Sequence, residues 1–288
     1  MRSAFSLHSI LCQNVTSTKL TATHLSRATW PSHSRLIRRT VFSEGTVEGL
    51  PLPLHLLHCS SSVSRSELSQ LGIGVLENFI LDEREEDAVV HELETILGRK
   101  RYEEGHWDNA IRHYREAQIR NLSNVPHVRR LLARAVPLLR SAALLKSANP
   151  DNRCVREGSE KEESVEEQDR DKVNQKRIQF PHVVDYQEAR GALLPHIDNE
   201  NAAGEAIMGV TCLSPAVLVL RNKEVPQNYV RILLPRRSLY CLHGPSRWTY
   251  THEINASEGG RSLREDGVDV PGADGRRLSI VLRDFPRK

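Results

Sequence analysis

The chain has 288 residues, 39 % of them hydrophobic, which is enough for a substantial core, and a formal net charge of +3. It contains no run of 18 apolar residues, which excludes an ordinary membrane-spanning helix. Its five scattered cysteines (Cys12, Cys59, Cys154, Cys212, Cys241) show no CxxC spacing, so they signal neither a zinc site nor a disulfide framework.

The positive charge sits at the front. Residues 1–60 carry six basic and two acidic side chains, so the rest of the chain nets about −1, unlike a general nucleic-acid binder. Residues 1–43 contain no Asp or Glu but do contain Arg2, Lys19, Arg27, Arg35, Arg38 and Arg39, many hydroxyl residues and spaced apolar ones. That composition predicts a mitochondrial transit peptide and a matrix location. Residues 44–71, rich in Pro and Ser, read as a linker, with the ordered domain expected over 72–288.

Gly74–Leu81 reads as a short strand. Asp82, with Glu85 three residues on, predicts a helix start. Val89, Val90, Leu93, Ile96 and Leu97 give that helix one apolar face, and Gly98 closes it. Residues 101–122 show no clean period. Val125–Leu145 reads as a second helix that Pro137 kinks or divides; its bases, with no acid over 117–150, are expected on a solvated face. Residues 151–177 hold nine acidic and seven basic side chains and few apolar ones, the pattern of a disordered insertion in a surface loop.

Short Val-, Ile- and Leu-rich runs follow at Ile178–Tyr186, Leu193–Ile197, Ala206–Leu213, Ala216–Arg221, Tyr229–Leu234, Ser238–Leu242, Trp248–His252 and Leu278–Leu282. Turn residues separate them. Helices first and strands later predict an α+β fold: a jelly-roll, cupin-like double-stranded β-helix with supporting N-terminal helices.

Two His-x-Asp matches occur, His106-Trp107-Asp108 and His196-Ile197-Asp198. Only the second follows a strand pattern. Strand residues i and i+2 share a face, so His196 and Asp198 can point into a barrel together. His252, read as the end of a later strand, completes two imidazoles and a carboxylate, the facial set that holds non-haem Fe(II) and leaves positions open. Arg277 and Arg283 bound an apolar run and share one face; paired with an anion, they could grip a dicarboxylate. Tyr240 could donate its hydroxyl to the same ligand. Taken singly, each of these residues also suits a core or surface position.

The segments Arg190–Asp198, Ser238–Tyr240, Tyr250–Ile254 and Arg276–Arg283 resemble the AlkB-type 2-oxoglutarate dioxygenases. Arg101–Ile111 and Val184–Gly191 are similar to a mitochondrial branch of that family. The resemblance implies Fe(2+) bound by His196, Asp198 and His252, and 2-oxoglutarate bound at Arg277, Arg283 and Tyr240. O2 is the other co-substrate. It also implies a protein substrate and links to programmed necrosis after alkylation damage and to fatty-acid metabolism. Nucleic-acid-repairing relatives carry Asn-x-Tyr where this chain reads Asp185-Tyr186-Gln187, and residues 98–145 show no aromatic and basic nucleotide lid. Two alternatives stand beside this reading: a mitochondrial RNA or DNA demethylase of the same fold, and a cupin-like metal-binding protein without catalysis.

Overall fold

The computed structural model describes residues 50–106, 109–144, 178–256, 260–264 and 267–286. The expected transit peptide (1–43) and charged insertion (151–177) lie outside the described residues.

The expected linker is structured from Leu50 onward. A short 3-10 turn (Leu54–Leu56) leads into strand β1 (Leu57–Cys59), which pairs with residues Val230–Ile232, and helix α1 (Arg65–Gln70) follows, opened by a capping box between Ser64 and Glu67. Leu50, Leu52, Leu56, Val63 and Leu68 are all buried. These leucines are spaced too irregularly to show a period, which is why the stretch read as a connector.

Strand β2 (Ile73–Leu76) precedes helix α2 (Glu83–Leu97), which starts on Asp82 and stops at Gly98, a residue at φ +55° that suits glycine. Strands β3 (Glu103–Gly105) and β4 (Ile111–Gln118) fill the stretch that lacked a period. In β4 the alternation is disguised because Arg115, on one face, pairs with the fully buried Asp185. Helix α3 (Pro126–Leu144) runs on through Pro137 without being divided. Its first turn is capped from α2, where the Glu92 carboxylate accepts from the backbone N–H groups of His127 and Val128 at 3.0 and 2.8 Å.

The remaining strands are β5 (His182–Tyr186), β6 (Ala192–His196), β7 (Ala206–Cys212), β8 (Ala216–Asn222), β9 (Tyr229–Leu234), β10 (Leu239–His243), β11 (Tyr250–Ile254) and β12 (Arg277–Arg283). A four-residue helix α4 (Pro245–Trp248) takes the place expected to open the Trp248–His252 strand. His252 is therefore mid-strand in β11 rather than at a strand end. All pairings are antiparallel, in the order β1-β9-β8-β11-β6-β4-β5-β12-β7-β10-β2, with β3 on β4. β5 and β6 lie end to end along one edge of β4, so the chain passes from one half of the barrel to the other within a single crossing.

Alternation along the strands separates two cores. Met208, Val210, Cys212, Leu239, Cys241, Leu278, Ile280 and Leu282 face outward against α2 and α3. Val184, Tyr186, Leu218, Leu220, Val230, Ile232, Tyr240 and Tyr250 face inward. This is the α+β double-stranded β-helix, with its helices packed on one half-sheet.

Candidate metal centre and co-substrate pocket

β6 delivers His196 and β11 delivers His252, and the two are direct cross-strand partners with ring centroids 4.3 Å apart. Asp198 lies two residues beyond the end of β6, yet its carboxylate turns back between them. Its Oδ1 is 3.0 Å from His196 Nε2 and 3.5 Å from His252 Nε2. The three donor atoms all lie within 4.8 Å of one another, and they form the one such cluster among the described residues. Neighbouring ligands of an octahedral ion with bonds of about 2.1 Å sit about 3 Å apart, so this trio suits three adjacent positions and leaves the opposite face open. The competing His106 lies elsewhere, 3.6 Å from Glu116. Trp107 and Asp108 lie outside the described residues.

His196 Nδ1 is 2.8 Å from the Leu194 carbonyl. A carbonyl can only accept, so Nδ1 carries a proton. Burial lowers the ring, but its hydrogen bonds to Asp198 and to the Leu194 carbonyl outweigh that and raise it, and a bound metal ion would take the place of the Nε2 proton. Burial pushes His252 down to about 3, which keeps it neutral and able to ligate. Burial alone would raise Asp198. Arg283 and the His196 hydrogen bond outweigh it and hold the carboxyl well below the usual carboxylate range. Arg283 makes the tightest of these contacts, Nε to Asp198 Oδ2 at 2.5 Å.

Arg277 is placed differently. It is buried on the same inward face, its guanidinium lies 4.0 Å above the Tyr186 ring, and its Nη2 has no hydrogen-bond partner. No ion pair joins it to an acid among the described residues. Ser279 is the next inward residue on β12, and it pairs across with Thr211 on β7. Ser238, whose carbonyl accepts from Thr211 N–H, continues the row. The hydroxyls of all three are buried and likewise unpartnered. Of the seven buried side-chain polar atoms without a partner among the described residues, four therefore cluster here. Buried polar atoms are rarely left so, and one cation with three hydroxyls is a donor set for a carboxylate.

Tyr240 faces the same space from β10, and burial raises its hydroxyl to about 12, so it is a neutral donor. Its ring lies over Gly209 of β7, where any Cβ would strike it. Thr211 and Gly209 carried no signal in the sequence, and Tyr186 and Ser238 stood there only within segments that resemble the family. Each is an ordinary strand residue until cross-strand register brings it to Arg277.

A barrel with two imidazoles and a carboxylate at its mouth, and an unpaired guanidinium deeper in, defines an iron- and 2-oxoacid-dependent oxygenase. The sequence comparisons agree. The sequence pattern of the 2OG-Fe(II) oxygenase superfamily matches residues 92–283, and the chain belongs to that family. It is 32 % identical over 239 residues to the mouse (Mus musculus) protein "Alpha-ketoglutarate-dependent dioxygenase alkB homolog 7, mitochondrial", covering 82 % of this chain and 90 % of that one. It is 27 % identical over 256 residues to the protein of the same name from Bos taurus, covering 88 % and 91 %. Among solved structures it is similar to a prolyl hydroxylase from Trichoplax adhaerens in complex with a hypoxia inducible factor peptide (TM-score 0.47, 15 % identity, 77 % of this chain and 86 % of that one). The protein is thus a 2-oxoglutarate-dependent dioxygenase with Fe(2+) and 2-oxoglutarate as cofactors, and the donor sets present fit both.

Proposed function

We propose that the protein hydroxylates a protein substrate in the mitochondrial matrix. In this reading His196, Asp198 and His252 hold the iron. Arg277 takes the distal carboxylate of 2-oxoglutarate, with Tyr240 and the Ser279–Thr211 row beside it. Arg283 orients Asp198 and borders the metal end of the co-substrate. Bound iron and 2-oxoglutarate together supply O2 activation: one oxygen atom enters the substrate and the other leaves in succinate, with release of CO2. The chain itself holds the ligands, fixes the His196 tautomer and excludes water from the Arg277 end.

The observation that carries the choice of substrate is a cavity of about 820 Å³ lined by His106, Tyr114, Glu116, Gln118, Arg120 and His182. His182 pairs across β12 with Val281, two residues from Arg283, so the cavity borders the metal end of the barrel. Glu116 lies 3.6 Å from His106 and 3.9 Å from His182. With Glu103 and Glu116 balanced by Lys100 and Arg120, polar walls of mixed charge suit a peptide. A flipped base needs stacking surfaces, and the described lining offers the His106 and His182 imidazoles and the buried Tyr114 ring but no broader aromatic platform. The mitochondrial relatives and the acid-free leader support the location. The family resemblance supports roles in programmed necrosis after alkylation damage and in fatty-acid metabolism.

Incubating the iron- and 2-oxoglutarate-loaded protein with matrix proteins, and in parallel with mitochondrial RNA and DNA, tests the reading by mass spectrometry. A peptide that gains one oxygen atom only when 2-oxoglutarate is present supports it. Loss of methyl groups from nucleic acid, with no peptide product, favours the demethylase instead.

A further inference from the structure

Asp198 is the ligand with the least support from the sheet, since it stands in the loop between β6 and β7. Its side chain is tied to Arg283, but its backbone needs a separate anchor. Arg247 in α4 meets that need. It is 1 % exposed and points three donors at three carbonyls of the same loop: Nη1 to Asp198 at 3.1 Å, Nη2 to Ala203 at 3.0 Å and Nε to Gly204 at 3.0 Å. The guanidinium lies 4.0 Å above the Trp248 ring, and Trp248 Nε1 in turn donates to Glu205, the next residue of the loop. On the loop's other side the Asp284 carboxylate accepts from the N–H groups of Glu205 and Ala206.

We propose that Arg247 is a positioning residue for the metal centre, which fixes the Asp198 backbone, and with it the Asp198 carboxylate, relative to His252. The link to His252 is direct, because α4 runs into β11 after a single residue and His252 is five positions beyond Arg247. One rigid planar fork thus ties the loop bearing one ligand to the strand bearing another. A lysine cannot copy this, because one ammonium at the end of a flexible stem cannot meet three carbonyls set around a plane. Positioning groups of this kind act on metal affinity through the ligand they hold. The inference rests on the reading of His196, Asp198 and His252 as the metal ligands.

The test uses the full-length chain, with Co(II) as a spectroscopic probe and Fe(II) with 2-oxoglutarate for the charge-transfer band. Arg247→Met should weaken Co(II) binding about 10–100-fold, and the charge-transfer band should shift or broaden. Arg247→Lys should recover part of the affinity. Ser246→Ala is the control for mere destabilisation. It removes hydrogen bonds from the same helix to the Gly72 and His243 carbonyls, not to the Asp198 loop. It should lower the melting temperature and leave Co(II) affinity unchanged. If the Arg247 variants do not fold, Trp248→Leu carries the test, since it weakens the support under the guanidinium; it should bind Co(II) less tightly than the parent. Parent-like Co(II) affinity in Arg247→Met, or in Trp248→Leu where that variant stands in, overturns the proposal while leaving the ligand set intact. A parent chain that binds no metal overturns the ligand set itself.

Discussion

Arg277 and Arg283 share one face of one strand, but their surroundings assign them different work. Arg283 is committed to Asp198, whereas Arg277 is stacked on Tyr186 with one nitrogen buried and unpartnered. Arg277→Ala should therefore remove the counter-charge for a bound carboxylate and leave the metal trio untouched. Leaving such a group buried and unpaired costs about 3–5 kcal/mol, a hundredfold or greater loss of 2-oxoglutarate affinity at about 1.4 kcal/mol per tenfold. Arg277→Lys keeps the charge without the fork and should fall between. Calorimetric titration of the metal-loaded variants checks this, with unchanged metal stoichiometry as the control. The candidate residues whose own chemistry is distinctive (His196, Asp198, His252 and the two arginines) could be singled out in the sequence by order and strand spacing, and the fold brings the first three together. Arg247 could not be, since its partners are main-chain carbonyls, which any sequence supplies.

At the scale of elements, the two helices are joined by a contact that neither helix needs by itself. Glu92 in the body of α2 caps α3, and it does so as a charged acceptor for two otherwise orphan N–H groups. Glu92→Ala should lower unfolding free energy by about 1–3 kcal/mol, read as a lower urea midpoint at unchanged slope. Co-substrate affinity should not change, because α2 and α3 pack on the outer face of the half-sheet. Both helices were readable from apolar spacing and from Asp82 and Gly98. β4 was not, because a strand whose partly buried face carries Arg115 against a buried Asp185 presents no apolar alternation. Asp185 also accepts from Tyr102 and Arg276, so a polar cluster replaces a hydrophobic stripe there. β1 and α1 were hidden in a Pro- and Ser-rich stretch for a related reason: isolated leucines insert into the barrel without a repeat.

For the molecule as a whole, the barrel is a frame on which the proposed metal ligands and their neighbours lie near one rim. The loop with Asp198, the His196–His252 pair, Arg283 and the cavity at Glu116 and His182 all border that end, and the helices buttress the half-sheet that carries Arg277. Residues 1–43, acid-free and rich in Arg and hydroxyl groups, should carry a fused fluorescent reporter into mitochondria. A reporter that stays in the cytosol would remove the matrix from the proposed function without touching the chemistry. The most direct measurement of the central claim is an anaerobic titration of 2-oxoglutarate into the Fe(II)-loaded chain, followed by its metal-to-ligand charge-transfer absorption. The account predicts a saturable band at one equivalent of iron, absent in His252→Ala and strongly right-shifted in concentration in Arg277→Ala. A parent chain that binds Fe(II) but develops no band at any 2-oxoglutarate concentration would contradict it.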